Sequence, residues 1–530
     1  MPWPAIYPWI DAAVKRKVQQ LHLRVKFFLN YCYCGMPVSL YACETLVSLK
    51  LESVNLDDVE VVSFPRLKTM HLSCVCLSKL SKDAAFERFI SCCPVLEDLR
   101  INGCVSKPQP FRVHSRSLKR LDIGHGYSTL VDSVPGVVID APQLCCLRIM
   151  DSESKSFIIN NLKYKSKVVV DVTFGFKFAD KASLSSGITL IRSFLSGISK
   201  VGDLTIYGQT FQIIYDYSKS ESLPQFGYMS RLCVSLFSQH LKGLATFLES
   251  CPNLKSLVVL LDYLHYEELH PEEMNQINFF PGISKVRDMI IHLNTFKLIC
   301  EYLKIKVLPR FGYMTRLHVT ICYSPLELLL TFLESFPNLK SLSLIFNYAK
   351  IAPSDETNQI RFSSVPECLL SSLEFVDFRI SMRERLIAMK LVRYFLENSA
   401  ILKNLTLSLI NYSISEKSAF KELLKMPRGS TECEVVLLDW FFDSNKESWI
   451  RKLRIDIPNS SHSKSFPTRW IDAVSTRRIE HLDVRFAFCR REESPSLNIY
   501  VCQTLVQLQL QGVALASAEF LSLMLLNYVV

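Results

Sequence analysis

The most regular feature of the chain is a recurring phrase, L-x-x-L-x-L, in which leucine, isoleucine, valine or methionine fills the three fixed positions. Eight copies of the phrase end at Leu51, Leu72, Ile101, Ile123, Ile149, Val259, Leu344 and Leu407. The first five copies begin at intervals of 21, 29, 22 and 26 residues. One copy alone would be weak evidence, but eight copies at near-regular spacing predict an array of structural repeats.

The phrase has a simple physical meaning. Its last two apolar positions lie on the same side of a short strand, because side chains alternate between the two faces. The first position, three residues earlier, enters from the preceding turn and packs beneath them. Since one unit cannot bury its own apolar face, neighbouring units have to stack and form a continuous core.

Between some of the strands the apolar residues follow a helical period. Residues 85–90 and 241–248 each place their apolar side chains on one helical face. The second segment runs into Pro252, which ends a helix just before the next strand phrase. Strands and helices alternating at ~20 to 29 residues predict an α/β fold, the leucine-rich-repeat solenoid, with a curved parallel sheet on the concave face and helices and loops on the convex face.

Longer repeats lie on top of the short one. Residues 197–257 and 282–342 align without gaps at an offset of 85, sharing GISKV, FGYM and PNLKSL. The offset is about three repeat units, so we interpret the pair as a tandem duplication. A further echo links WIDAAVKRKVQQLHLRV, which starts at Trp9, with WIDAVSTRRIEHLDVRF, which starts at Trp470.

Composition excludes several classes of partner. A net charge of +10 spread over 530 residues is a weak nucleic-acid signal, and the basic runs are not interleaved with aromatics. No apolar run reaches the ~18 to 20 residues that span a bilayer. The 18 cysteines include no C-x-x-C pair, and the N-terminus has no signal-peptide pattern. We therefore expect free thiols in a cytoplasmic or nuclear protein that binds neither nucleic acid nor membrane.

Catalytic signatures are missing from the sequence. It contains no G-x-S-x-G, P-loop, H-E-x-x-H or G-x-G-x-x-G motif. His265 and His270 flank two glutamates, but a spacing of five suits no common helical metal site, and a solvated loop is favoured. Cysteines that precede prolines have no base beside them and are predicted to be small core residues. We predict that the chain is not an enzyme and has no catalytic, metal-binding or cofactor-binding residues.

A candidate binding surface follows from the strand phrase. The residue between its last two apolar positions points away from the core, toward the concave face. In the first five strands this position holds Lys50, His71, Arg100, Asp122 and Arg148. In later strands it holds Val258, Ser343 and Thr406. The first half thus predicts a mostly basic strip for a negatively charged protein partner; the alternative is that these are ordinary solvated strand residues.

Several segments resemble the plant F-box/FBD/leucine-rich-repeat family. They include WIDAAVKRKVQQLHLRV, FPRLKTMHLSCV and FISCCPVLEDLRINGC, and a separate match, VPECLLSSLEFVDFRI, begins at Val365 and is similar to the FBD region. The resemblance implies domains at 1–362 (the solenoid), 363–440 (an FBD-like region continuing the array) and 441–530 (a partial second copy of the N-terminal repeats).

The resemblance also implies a function. In that family the repeats are taken to recognise the substrate of an SCF-type E3 ubiquitin ligase, and an F-box docks on a Skp-type adaptor and thereby on a cullin. The LPDDLL-like start of an F-box is not present in this sequence. We therefore expect a protein substrate of unknown identity, with the adaptor and cullin as partners only through an F-box outside this chain. The alternative is a stand-alone repeat scaffold that recruits no ligase.

Overall fold

The structure is a computed structural model that describes residues 7–25, 35–56, 62–75, 85–103, 111–125, 136–176, 181–261, 280–321, 326–346, 364–381, 385–410, 426–437, 452–457, 481–486 and 507–511. The helices are α1 Tyr7–Lys15, α2 Val38–Tyr41, α3 Ala85–Ser91, α4 Lys181–Ile198, α5 Gly208–Ser218, α6 Leu241–Glu249, α7 Leu293–Leu303, α8 Leu326–Leu333, α9 Glu367–Ser371 and α10 Arg385–Asn398.

The strands are short and recur along the chain. They are β1 Gln20–Arg24, β2 Ser48–Glu52, β3 Thr69–Ser73, β4 Asp98–Asn102, β5 Phe111–His114, β6 Arg120–His125, β7 Val137–Asp140, β8 Cys146–Asp151, β9 Phe157–Asn160, β10 Lys167–Val172, β11 Asp203–Ile206, β12 Arg231–Leu236, β13 Ser256–Leu261, β14 Asp288–Ile291, β15 Arg316–Ile321, β16 Ser341–Phe346, β17 Phe375–Ser381, β18 Asn404–Ile410, β19 Glu434–Leu437, β20 Lys452–Ile457, β21 His481–Phe486 and β22 Gln507–Gln511.

The chain divides into two compact units. The first comprises Met1–Val319 and Thr331–Asn338, and the second Thr320–Leu330 and Leu339–Val530. In the first unit a parallel sheet runs in the order β1-β2-β3-β4-β6-β8-β10-β11-β12-β13-β14-β15. Each strand pairs with the strand of the next repeat, so the prediction of a parallel α/β repeat architecture is confirmed.

The core of the first unit consists of the three fixed positions of the phrase. In β2 the inward residues Leu49 and Leu51 are fully buried, and Leu46 lies beneath them in the preceding turn. Pairing in register places Leu49 beside Met70 of the next strand, and Met70 beside Leu99. Each apolar position therefore packs against the corresponding position of the next repeat. This stacking forms the continuous core that one repeat cannot make alone.

Three connectors of the first unit differ from the predicted helices and loops. The chain between neighbouring strands of the main sheet contains β5, β7 and β9, which pair in parallel as a separate three-stranded sheet. Their alternating buried side chains, led by Phe111, Val137 and Phe157, show the period of two that a half-buried strand requires. These runs are only four residues long, which is why the sequence pattern did not reveal them.

Helices cover the core elsewhere, as predicted. The two segments read as helical from sequence are α3 and α6. Helix α4 packs on β9 and ends where the duplicated region begins. Its Gly197 approaches β9 so closely that a Cβ there would lie 2.7 Å from the carbonyl oxygen of Ile159. Glycine is needed at that position because any side chain would push the helix off the strand.

The two copies of the 85-residue duplication contain the same elements at the same offset. Strands β11, β12 and β13 correspond to β14, β15 and β16, with start and end shifted by 85 residues in each case. Helices α5 and α6 correspond in the same way to α7 and α8, which start 85 residues later. The offset read from the sequence is therefore also an offset of structural elements.

The second unit contains two parallel sheets. One has the order β16-β17-β18-β19, and the other has the order β20-β21-β22. Strand β21 pairs with β22 so that His481 lies opposite Gln507, which is the register in which Gln20 of β1 lies opposite Ser48 of β2. The described part of residues 441–530 thus repeats the backbone pairing of the N-terminal repeats, while the domain boundaries at 362 and 440 stay predictions.

Candidate binding face

The five residues predicted for the binding face stand in one continuous row. Strand pairing places Lys50 beside His71, His71 beside Arg100, Arg100 beside Asp122 and Asp122 beside Arg148. Each lies between two buried positions of its strand and therefore points away from the core. The sequence pattern predicted this placement, and the binding role of the five residues stays a prediction.

The row continues over the whole sheet of the first unit. We call it the strand row: the residue between the two inward-facing core positions of each strand, held in register by the pairing of the main sheet. From β1 to β15 its members are His22, Lys50, His71, Arg100, Asp122, Arg148, Val169, Thr205, Cys233, Val258, Ile290 and His318.

Asp98 organises the charged part of this face. Its carboxylate is buried and accepts hydrogen bonds from Arg100, Nε to Oδ1 at 3.2 Å and Nη2 to Oδ2 at 3.2 Å. A third bond comes from the Nε of Arg120, at 3.1 Å. Burial alone would raise the pKa of Asp98, but the hydrogen bonds and charges of Arg100 and Arg120 outweigh it and leave that pKa below its ordinary value. One carboxylate therefore holds two guanidinium groups in place.

Two further carboxylates pair with cations on the same face. Nη1 of Arg148 lies 3.7 Å from Oδ2 of Asp122 on the neighbouring strand. At the start of the sheet Glu52 accepts a hydrogen bond from Arg24 and lies 3.3 Å from Nε2 of His22. The hydrogen bond from Arg24 is the largest cause of the lowered pKa of Glu52. These pairs align the charged side chains along and across the strands.

His71 contributes little positive charge at neutral pH. Burial lowers the pKa of its imidazole, and the neighbouring charge of Arg100 lowers it further. Its Nε2 is 3.9 Å from Oδ1 of Asp98, which is too long for a hydrogen bond. The imidazole is therefore neutral at pH 7, although the sequence analysis counted it in a basic strip.

The strip is less basic than the sequence suggested. Across β1 to β8 the three exposed positions of the main-sheet strands hold five Lys or Arg side chains and three carboxylates, an excess of two positive charges. Among the described residues, Lys50 has no ion-pair partner within 4 Å. The sequence analysis considered one position per strand, and Asp98 and Glu52 lie two residues away from it. Because side chains alternate, the period of two would have placed both on this face.

From β10 to β14 the strand row is uncharged and mostly apolar. After Arg148 on β8 it passes directly to Val169, Thr205, Cys233, Val258 and Ile290 on β10 to β14. Val258, which the sequence placed on this face, is only 6% exposed, and the other four are half-buried. The chemistry of the row thus changes at a single boundary, between β8 and β10.

The second unit has its own row, in which the sequence-predicted Ser343 and Thr406 flank Asp377. Oγ of Ser343 donates to Oδ2 of Asp377 at 3.2 Å, and Nε of Arg379 donates to the same atom at 3.3 Å. Here the sequence analysis predicted a neutral face, and Asp377 adds a charge that it missed. The strand of Asp377 has Phe378 at the last fixed position of the phrase, in register with Leu344 of β16, and this replacement of leucine concealed the strand.

The cysteines that precede prolines are core residues. Cys93 and Cys251 are buried, and burial raises the pKa of each thiol to about 12. A thiol with that pKa is protonated at neutral pH and is a poor nucleophile. In the part of the chain that the structure describes, no group of three or more His, Cys, Asp or Glu side chains could hold a metal ion. His265 and His270 lie outside the described residues.

None of the described helices is both long enough and apolar enough to cross a bilayer. The longest, α4, has 18 residues and includes Lys181 and Arg192.

Comparisons with known proteins agree with this architecture. A family model described as "FBD-associated F-box protein At5g56370, LRR repeats" matches residues 6–157, and one described as "FBD" matches residues 360–407. The first match contains all five predicted face residues. The second overlaps the region that the sequence analysis took as FBD-like.

Relatives from Arabidopsis thaliana are similar over most of the chain. The "Putative FBD-associated F-box protein At5g53635" is 42% identical over 431 residues, which cover 81% of this chain and 78% of the relative. The "Putative F-box/FBD/LRR-repeat protein At5g25850" is 41% identical over 433 residues, 81% of this chain and 77% of the relative. "F-box/LRR-repeat protein 13" is 32% identical over 440 residues, 81% and 75% of the two chains.

Proposed function

Because the chain belongs to the plant F-box/FBD/leucine-rich-repeat family, we propose that it binds a protein substrate on the strand row of its first unit and serves as the substrate-recognition part of an SCF-type E3 ubiquitin ligase. It acts by binding, without catalysis of its own, in the cytoplasm or the nucleus. Lys50, Arg100, Asp122 and Arg148, with the neutral His71 among them, form the charged part of the binding face.

The observation that carries the proposal is the preorganised charged face. Arg100 and Arg120 are held by a buried carboxylate, yet their side chains stay 47% and 60% exposed. A partner's carboxylate can reach guanidinium donors that are already oriented, so little side-chain entropy is lost on binding. With two positive charges in excess, this face favours a partner that is negatively charged where it makes contact.

Charge reversal tests the binding face. We expect the double variant Arg100→Glu/Arg148→Glu to abolish binding of the natural partner, because two attractive contacts become repulsive. The matched control is Arg112→Glu/Arg116→Glu, which changes the charge equally in the same repeats, at exposed residues on β5 and in the turn after it. Proteins crosslinked to each variant in plant cells are quantified by mass spectrometry against the unmodified chain.

The two double variants give opposite results if the proposal holds. Proteins lost with the Arg100/Arg148 variant and kept with the control support it, whereas equal recovery with both variants contradicts it. Circular dichroism checks that both variants are folded. Lys50→Glu serves as a second probe, because no ion pair of the described residues is broken by it.

The ligase role is tested separately from binding. A Skp-type adaptor is mixed with the purified chain, and the complex is followed by size-exclusion chromatography. A stable complex supports recruitment to the ligase. No complex, under conditions in which another F-box protein binds the same adaptor, favours the alternative of a repeat scaffold that binds partners without recruiting a ligase.

A further inference from the structure

We propose that the partner lies on the strand row as an extended segment with two chemically different parts, acidic over β2 to β8 and apolar over β10 to β14. This inference rests on the proposed function, because it assigns the chemistry of the partner to the same face. It goes further because it requires an acidic block and an apolar block within one segment, with each block in contact with its own part of the strand row.

The first argument is the sharp change along the row. Arg148 on β8 lies directly beside Val169 on β10, so the charged and apolar parts meet at neighbouring strands. From there to β14 the row contains no charged residue, since it passes through Thr205, Cys233 and Val258 to Ile290. A segment that crosses the boundary meets charges on one side and apolar groups on the other.

The second argument is what surrounds the apolar part. On the side toward the strand starts it is bordered by Lys167, Asp203, Arg231, Ser256 and Asp288. Asp288 is bound by Arg316 of the next strand, Nε to Oδ1 at 2.6 Å and Nη2 to Oδ2 at 2.9 Å. On the other side stand Asp171 on β10, at the boundary with the charged part, and the uncharged Ser235 and Leu260. The apolar part is thus a narrow track beside a polar border, which suits a single chain better than a broad apolar surface.

The third argument is length. Neighbouring strands lie about 4.8 Å apart, so the ten strands from Lys50 to Ile290 span about 43 Å. An extended chain rises about 3.3 Å per residue and covers this distance with about 13 residues. Roughly half of that segment faces each part of the row, so one continuous peptide can satisfy both.

The occupant is an acidic segment rather than a basic one because of the charge excess. Lys50 and the guanidinium groups of Arg100, Arg120 and Arg148 would repel a basic segment. A carboxylate-bearing one would compensate the excess of one positive charge that β2 to β8 carry over their three carboxylates. The apolar side chains that follow would cover Val169 and Ile290, which are half-buried, and remove them from water.

The duplication supplies variants that change the row and preserve the fold. At an offset of 85, Thr205 corresponds to Ile290, and Val258 corresponds to Ser343. In Val258→Ser and Ile290→Thr, each position therefore receives the residue that the other copy holds on a corresponding strand. The reverse exchange, Thr205→Ile, adds an apolar group to the same track.

The test is a selection of random peptides of about 14 residues, long enough to span the row, displayed against the full chain. Affinities of the selected peptides are measured by fluorescence anisotropy. We expect an acidic block followed or preceded by an apolar block in one fixed order. A peptide of the same composition with the two residue types interleaved should bind about tenfold more weakly, since it loses apolar contact worth ~1.4 kcal/mol.

Variants separate this inference from the proposed function. Val258→Ser/Ile290→Thr should weaken the selected peptides several-fold, Thr205→Ile should strengthen them, and Arg100→Glu/Arg148→Glu should abolish binding. Equal affinity of ordered and interleaved peptides, or no response to Val258→Ser/Ile290→Thr, overturns the two-part segment while the charged face stands. If no peptide is selected, the two-part segment is overturned. If the selected peptides ignore the arginine variant as well, the proposed binding face fails too.

Discussion

The two copies of the duplicated block share most of their buried residues and differ along the strand row. Residues 197–257 and 282–342 are identical at 34 of 61 positions, and the identities include the buried pairs Phe226/Phe311 and Leu232/Leu317. Hydrogen bonds are shared as well: Nδ2 of Asn253 donates to the carbonyl oxygen of Gly227 at 2.8 Å, and 85 residues later Asn338 donates to Gly312 at 2.8 Å.

The strand row diverges between the copies. Thr205, Cys233 and Val258 in the first correspond to Ile290, His318 and Ser343 in the second, so none of the three positions is the same. Core positions are constrained because every repeat has to match its neighbours in shape. The strand row is free of that constraint, so its residues can change with the partner. The comparison teaches that the fold and the recognition surface are encoded at separate positions of one repeat.

The largest expected effect is on the free energy of unfolding, and it tests whether the hydrophobic cores of the two duplicated copies are equally important for stability. Phe247 packs on Phe211 and Phe226, with ring centroids 6.2 and 5.3 Å away, and Phe332 packs on Phe296 and Phe336, at 5.5 and 4.8 Å. We expect Phe247→Ala and Phe332→Ala to lower the free energy of unfolding by similar amounts, about 3 to 5 kcal/mol each. Urea denaturation followed by circular dichroism measures both. A cost twice as large in one copy would show that the interiors are not equivalent.

A smaller effect should distinguish the copies. The buried hydroxyl of Thr210 accepts from the N–H of Val172 at 2.6 Å and donates to its carbonyl oxygen at 3.1 Å. Thr295 donates to the carbonyl oxygen of Val259 at 3.1 Å. Thr210→Val leaves a buried N–H without its acceptor and should cost about 1 to 3 kcal/mol, and Thr295→Val about 1 kcal/mol. The same denaturation assay compares them, and an equal or reversed order would contradict the bonding described.

The smallest effect concerns pH. Burial lowers the pKa of His240, beside which Asp216 acts in the opposite direction and Lys219 in the same one. The unfolded chain therefore binds a proton more readily than the folded one, so stability is complete above the unfolded pKa of about 6.5 and is lost as pH falls below it.

The second copy has Pro325 at the corresponding position and lacks this group. We expect His240→Gln to reduce the dependence of the unfolding free energy on pH between about 7.5 and 5. The remaining dependence comes from groups such as His71 and His292, in which burial also lowers the pKa. An unchanged pH dependence in His240→Gln would contradict the prediction, because it would mean that the pKa of this imidazole does not differ between the folded and unfolded chain.

Most of the fold could be predicted from the sequence because stacked repeats require apolar residues at the same positions of every repeat. The strand phrase identified eight strands, and a further copy with Met229, Leu232 and Val234 at its fixed positions, which leads into β12, was not recognised. The outer strands β5, β7 and β9 could not be predicted, because four residues with two apolar positions do not distinguish a strand from a loop.

The candidate face was predicted in position and only partly in chemistry. The alternation of side chains along a strand placed all five residues in one row. The carboxylates that pair with Arg100 and Arg148 could not be predicted in the same way, because the pairing depends on side-chain rotamers and on which strands are neighbours. The neutral state of His71 depends on burial, which the sequence of one strand does not contain.

The outer sheet of β5, β7 and β9 has a consequence for how the repeats separate. In most of the first unit a repeat is joined to the next through a single ladder of backbone hydrogen bonds, but here two ladders lie on opposite sides of the same core. Opening any one of these repeats breaks both ladders at once. Among the described repeats, those that contain β5, β7 and β9 are therefore expected to open together, and fraying that starts from either side is expected to stop there.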